Sequence, residues 1–201
     1  MKTILVWTVT ALACLALAAG FVRALPLAAE RQRAGERAPE RAVCGPALRP
    51  AAHSTALGDL EGGTVAAPDF ALQDWAGREI RLSSLRGRVV MLNFWATWCD
   101  TCVAEMPALE QLVQAEKDRP FTLLAVSVDE SWEAVRRFFA GGTQLTVLLD
   151  PTKGTPPRYG TEKFPETFII DRDGNIRYYV VSSRDWAAPE VRACLELLMR
   201  S

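Results

Sequence analysis

Val89-Val90-Met91-Leu92-Asn93-Phe94-Trp95-Ala96-Thr97-Trp98-Cys99-Asp100-Thr101-Cys102 is the stretch on which the reading of this chain turns. Its first seven residues are nearly all apolar, the pattern of a strand buried on both faces in the centre of a sheet covered by helices. From Cys99 the period becomes helical, with Met106, Leu109, Leu112 and Val113 on one stripe of a helix expected over residues 99–117. Two cysteines with two residues between them therefore stand at a strand-to-helix junction. A thiol in the first helical turn faces unpaired backbone N–H groups and the positive end of the helix dipole, which favours its thiolate. Thiolates attack disulfides, and a second Cys one turn on can resolve the mixed disulfide from within the same motif.

Two other uses of such a pair fit less well. A zinc site needs four ligands, whereas the chain has five Cys and one His and no second CxxC or HxxxH. No metal and no cofactor is expected. A peroxidatic cysteine would carry the peroxiredoxin pattern P-x-x-x-[ST]-x-x-C. Here Thr97 is two positions before Cys99 and no Pro precedes it.

The 201 residues, 49% of them hydrophobic, suit one globular domain with a tail, and a net charge of -1 offers nothing to nucleic acid. Residues 4–22 form 19 uncharged positions after Lys2, enough to cross a bilayer as a helix. An Ala-x-Ala pattern at Ala16 and Ala18 also permits cleavage, so residues 1–23 read as a membrane anchor or a removed signal peptide. A lipoprotein reading through Cys14 is weaker, because Ala11 stands where Leu is usual. The anchor leaves the domain membrane-tethered in the periplasm or extracytoplasmic space; the cleaved signal leaves it secreted and soluble. Residues 24–62, rich in Ala, Arg, Glu and Pro with interleaved charge, read as a tether, and its lone His53 is expected to be inert.

The globular part is expected over residues 63–201. Short strands at 69–72 and 79–82 flank a turn at Asp74-Trp75-Ala76-Gly77 and suggest a hairpin. After the 88–96 strand and the first helix, in which Pro107 should introduce a kink, come a buried strand at 121–128, a helix at 131–140 capped by Ser131 with Glu133 close behind, and a strand at 145–149. Pro151, Pro156 and Pro157 mark a loop. Strands at 166–170 and 176–181 flank the hairpin signal Asp171-Arg172-Asp173-Gly174, and a helix at 189–199 closes the chain. The order βαβαβ, then a hairpin and a helix, with a further hairpin in front, makes an α/β fold with a central mixed sheet flanked by helices.

This order with a WCxxC motif after the first long strand resembles the thioredoxin fold, and within it the membrane-tethered TlpA, ResA and CcmG (DsbE) branch of thiol:disulfide oxidoreductases. Ala67-Pro68-Asp69-Phe70, Leu82-Ser83-Ser84-Leu85-Arg86-Gly87, Asn93 through Cys99, Glu105-Met106-Pro107 and Phe164-Pro165-Glu166-Thr167-Phe168-Ile169-Ile170-Asp171 carry the resemblance, which covers roughly residues 64–201. Many members have Pro immediately before the second Cys, where this chain has Thr101. The reduction potential of those members is therefore not transferable.

Cys99 is the candidate nucleophile and Cys102 the resolving thiol. Asp100 sets a carboxylate beside the thiolate, an opposition of roughly 1 kcal/mol at about 4 Å in water-like surroundings, which leans the pair toward reduction. The resemblance implies that Pro165 is the cis-proline beside the cysteine pair, that Phe164 lies at the client-binding surface, and that Glu105 matches an active-site glutamate able to relay the proton of Cys102. Trp98 is expected exposed beside the thiols and Trp95 in the core. Setting Cys14 aside leaves four cysteines, and Cys44 with Cys194 reads as a structural disulfide between tether and last helix; a free Cys44 and a buried Cys194 thiol is the alternative.

These residues lead to an expected reductase of client-protein disulfides. The resemblance implies apocytochrome c or a copper-centre assembly protein as client and a DsbD- or CcdA-type membrane thiol reductase as electron donor. An oxidase that introduces disulfides and a copper-handling dithiol module without turnover are the other readings.

Overall fold

The computed structural model describes residues 40–46, 48–50 and 65–200. The uncharged segment at 4–22, Cys14, His53 and most of the expected tether lie outside them. Among the described residues no helix is long and apolar enough to cross a membrane. The chain divides into Met1–Arg41 and a compact unit Ala42–Ser201, and the sheet and helices belong to the second.

Among the described residues nine strands form one mixed sheet in the order β1-β9-β8-β5-β6-β7-β3-β4, with β2 also on β9. They are β1 (Arg49–Pro50), β2 (Val65–Ala66), β3 (Ala71–Asp74), β4 (Glu79–Arg81), β5 (Val89–Trp95), β6 (Phe121–Ser127), β7 (Thr146–Leu149), β8 (Glu166–Ile170) and β9 (Asn175–Val181). The central β5 is parallel to β6 and antiparallel to β8, and every one of its residues is buried. That is the two-sided burial its apolar run requires. The front hairpin does not stand apart: β3 pairs with β7, so β3 and β4 extend the sheet at its edge. Asp74 closes its turn by accepting from the N–H groups of Ala76 and Arg78.

Among the described residues, the helices that follow β5 in chain order are α1 (Asp100–Ala115), α2 (Trp132–Phe138), α3 (Thr155–Arg158) and α4 (Pro189–Arg200). Met91 and Trp95 of β5 share one core with Cys102, Met106 and Leu109 of α1 and with Cys194, Leu195 and Leu198 of α4. Val90, Leu92 and Phe94 face the opposite core, where Tyr159, Phe168 and Phe70 gather. Alternate residues of one strand thus serve two cores. The α1 helix continues through Pro107, which is exposed and sits where its missing N–H costs only the bond to the Val103 carbonyl.

Three local expectations shift. The Pro-rich loop contains the short helix α3, because proline at the first positions of a helix loses no bond there. Ser131 occupies the N-cap of α2 in extended conformation without a side-chain cap bond, and Glu133 pairs with Arg137 four residues on. Part of the stretch read as a tether packs into the compact unit: Cys44 and Leu48 are buried, Arg49 registers with Tyr179, and Cys44 is bridged to Cys194 with S–S 2.00 Å. Two apolar residues scattered among Ala, Arg and Pro are too few to make a periodic signal, so this packing is invisible to a pattern search.

The Cys44–Cys194 bridge closes a sequence separation of 150 residues, which the chain-entropy account ranks among the more stabilising loops. Replacing both cysteines by Ala should lower the unfolding free energy by about 2 to 5 kcal/mol. Urea titrations without reductant measure it, and dithiothreitol should bring the wild-type midpoint toward that of the variant.

Candidate active site

The buried end of β5 delivers the chain to its cysteines. Cys99 is the N-cap of α1 with extended φ and ψ of -97° and 100°, and its Sγ accepts from the Cys102 N–H at 3.3 Å. A sulfur thus occupies the place usually taken by a Ser or Asp oxygen, in line with the helix dipole. The two cysteines are joined, S–S 2.12 Å, and differ in access: Cys99 is 9% exposed and Cys102 fully buried. Thr101 brings its hydroxyl to 3.5 Å from Cys99 Sγ.

The approach to Cys99 is held by Asp129, just beyond β6. Its carboxylate accepts from the Thr97 N–H at 3.0 Å, the Thr97 hydroxyl at 2.8 Å and the Ser127 hydroxyl at 2.7 Å, while Val128 N–H donates to the Trp95 carbonyl. The strand-to-helix turn is therefore fastened to the neighbouring strand on both sides of Ala96.

One turn beyond Cys102, Glu105 is 3% exposed. Asn93 Nδ2 donates to its Oε1 at 2.9 Å and also to Thr167 Oγ1 at 2.9 Å, and Trp186 Nε1 donates to its Oε2 at 2.8 Å. Burial pushes the carboxyl above the usual carboxylate range, while N–H donors from Trp186, Asn93 and the Arg184 backbone pull it back.

The Phe164–Pro165 peptide is cis, and the Pro165 carbonyl is taken by Ser182 N–H at 2.9 Å. Trp98 is 61% exposed and meets the Phe164 ring edge-on with centroids 6.1 Å apart. Among the described residues no group of three or more His, Cys, Asp or Glu could hold a metal ion.

Residues 64–179 match the AhpC/TSA family. The chain belongs to that family. Within it, the chain is 34% identical over 119 residues to the thiol-disulfide oxidoreductase ResA of Bacillus thuringiensis (strain Al Hakam), which spans 59% of this chain and 69% of the relative. ResA of Geobacillus thermodenitrificans (strain NG80-2) is 36% identical over 118 residues, covering 58% and 68%. A Chlorobium tepidum crystal structure provisionally named thiol:disulfide interchange protein DsbE superimposes with a TM-score of 0.62 at 32% identity, covering 67% of this chain and 95% of that one. This AhpC/TSA member is accordingly a thiol:disulfide oxidoreductase of thioredoxin fold, in the ResA and DsbE group. Its Cys99 lacks the peroxidatic pattern that the family name brings to mind.

The structure brings Cys99, Cys102, Trp98, Phe164 and Pro165 to one end of the sheet, with Glu105 beneath, and carries Cys44 and Cys194 elsewhere as the bridge described above. Four residues around this site carry no role in the sequence reading, although Asn93 and Thr167 stand within the motifs quoted there. Asn93 signalled itself as a polar residue inside a doubly buried strand, where an unpaired amide is costly. Thr167, Asp129 and Trp186 gave no comparable signal, since their partners Asn93, Thr97 and Glu105 lie 74, 32 and 81 residues away.

Glu166 follows the cis-proline directly and is 7% exposed. Burial, with nearby Glu162 adding repulsion, pushes its carboxyl up to about 7 against a partial offset from Thr161. A folded-state value above the unfolded one means stability is fully present below about pH 4.5 and is lost as pH rises through about 7. Glu166→Gln should therefore match wild type near pH 4.5 and exceed it at pH 8, so the gap between their urea midpoints should open across that window.

Proposed function

We propose that this protein is a reductase of disulfides in client proteins, working outside the cytoplasm, with Cys99 as nucleophile and Cys102 as resolving thiol. The observation that carries the roles of the two thiols is the asymmetry of the pair. Cys99 sits at the open end of α1 with its sulfur on a helix N–H, and Cys102 is buried behind it. Only the first sulfur is reachable by a client, and it is the one whose thiolate the helix favours.

The reaction proceeds in two displacements. The Cys99 thiolate attacks one sulfur of the client disulfide, forming a mixed disulfide and releasing a client thiolate. Cys102 loses its proton to Glu105 and attacks Cys99 Sγ, releasing the second client thiolate and leaving the Cys99–Cys102 disulfide. Two electrons pass to the client, whose thiolates take up two protons. Trp98 and Phe164 offer an apolar ledge for the residues flanking the client cysteine, and the cis-Pro165 loop borders it.

Resemblance to the ResA and DsbE group supports apocytochrome c or a copper-centre assembly protein as client and a DsbD- or CcdA-type membrane thiol reductase as donor. The uncharged residues 4–22 support an anchored domain on the outer face of the membrane.

Insulin reduction driven by dithiothreitol should fall to background in Cys99→Ser, and Cys102→Ala should hold clients as mixed disulfides when expressed in the native host. A reduction potential near the strongly oxidising end of the protein range, around -120 mV, would reverse the assignment to an oxidase. Copper retained through purification by the wild type but not by Cys99→Ser, with no insulin reduction, would point to a metal-handling module instead.

A further inference from the structure

Trp186 lies outside every motif that identifies the family, yet its indole is fully buried and its one polar atom is aimed at Glu105. It belongs to the segment 182–188, which leaves β9 at Ser182 in a left-handed conformation with φ 75° and leads into α4. The same segment supplies a second donor, the Arg184 backbone N–H. The third, Asn93 Nδ2, comes from β5. Both oxygens of the Glu105 carboxylate are thus occupied by N–H groups, two of the three from a stretch about 80 residues downstream.

We propose that Trp186 is a positioning residue for the thiol-disulfide reaction, holding Glu105 in the orientation and charge state in which it takes the proton of Cys102. The inference rests on the role of Glu105 given under Proposed function. An indole N–H can only donate, so it favours the carboxylate over the carboxylic acid and opposes the effect of burial. Without it, a carboxyl at 3% exposure is left with fewer donors and holds its proton to higher pH.

The neighbours of Glu105 leave few rival sources of a pH effect. On its own helix the titratable groups toward the site are Cys102 and Cys99, with Asp100 exposed at the helix start. Asn93 on β5 and Thr167 on β8 are neutral, and Glu166 on β8 points to the opposite face of the sheet by strand alternation. On the 182–188 segment, Asp185 is exposed and accepts from Ala187 N–H, and Arg184 acts through its backbone while its charged side chain is half-exposed.

The reaction of the reduced full chain with 5,5'-dithiobis(2-nitrobenzoate) separates the two displacements, because the first thionitrobenzoate is released by Cys99 attack and the second by Cys102 resolution. In Trp186→Phe the inflection of the second phase should move up by about one pH unit, a tenfold slower resolution below it, with the first phase unchanged. Glu105→Gln should abolish the inflection, and adding Trp186→Phe to that variant should change nothing further. An inflection lost in Glu105→Gln but unmoved in Trp186→Phe overturns the inference and spares the Glu105 reading. A profile untouched by Glu105→Gln overturns both. Should Trp186→Phe not fold, the wild-type indole resonances in a 15N spectrum decide: one Nε1–H signal must titrate with the inflection of the second phase and cease to titrate in Glu105→Gln, and its failure to do so overturns the proposal.

Discussion

Every helix must satisfy the N–H groups of its first turn, and α1 does so with a sulfur. The Cys99 Sγ to Cys102 N–H contact makes the redox atom and the helix cap the same atom. The surrounding structure follows from keeping that cap in place. A disulfide or thiol sulfur is a weak acceptor, whereas a thiolate is a strong one, so the helix start gains most from the ionised sulfur. The turn leading into the cap cannot be left loose, and Asp129 fastens it with three donors drawn from Thr97 and Ser127. Behind it, the fully buried β5 divides its residues between two cores, and Cys99 packs in the one that holds Met91 and Trp95.

A cap that favours the first thiolate does nothing for the second thiol, which is buried one turn in. Its proton needs an acceptor in the same apolar surroundings, and burial alone would leave a carboxyl there protonated. The N–H donors of Asn93, Trp186 and Arg184 answer that difficulty without bringing a second formal charge into the core. An arginine in their place would hold the carboxylate ionised at all working pH values and leave it a poor base. Three neutral donors against burial keep the group adjustable.

What was legible in the sequence was whatever is encoded locally. The apolar run before Cys99, the helical stripe after it and the Asp171–Gly174 turn all declare themselves within ten residues, and the corresponding elements differ from expectation by one or two positions. The cis-proline had no local signal and was reached only through resemblance, which the Phe164–Pro165 geometry matches. Asp129, Thr167 and Trp186 act across sheet neighbours and chain ends, so their roles exist only once β6, β8 and the 182–188 segment have been brought together. The burial of Cys44 and Leu48 is hidden for a related reason: they share a core with distant residues of β9 and α4, and nothing beside them in sequence reports it.

The two residues between the cysteines act on Cys99 in opposite senses. Asp100 places a negative charge on the neighbouring residue, exposed to solvent and so screened. Thr101 places a rotatable hydroxyl 3.5 Å from the sulfur, where a proline could offer no donor at all. A hydroxyl gives a thiolate a directional bond in partly buried surroundings, while the aspartate repels it through water, and of the two the bond is less weakened by salt. The pair is therefore less simply biased toward reduction than its acidic neighbour suggests, since a donor that stabilises the thiolate stabilises the reduced protein. The balance shifts with ionic strength, because screening removes the repulsion before it touches the hydrogen bond.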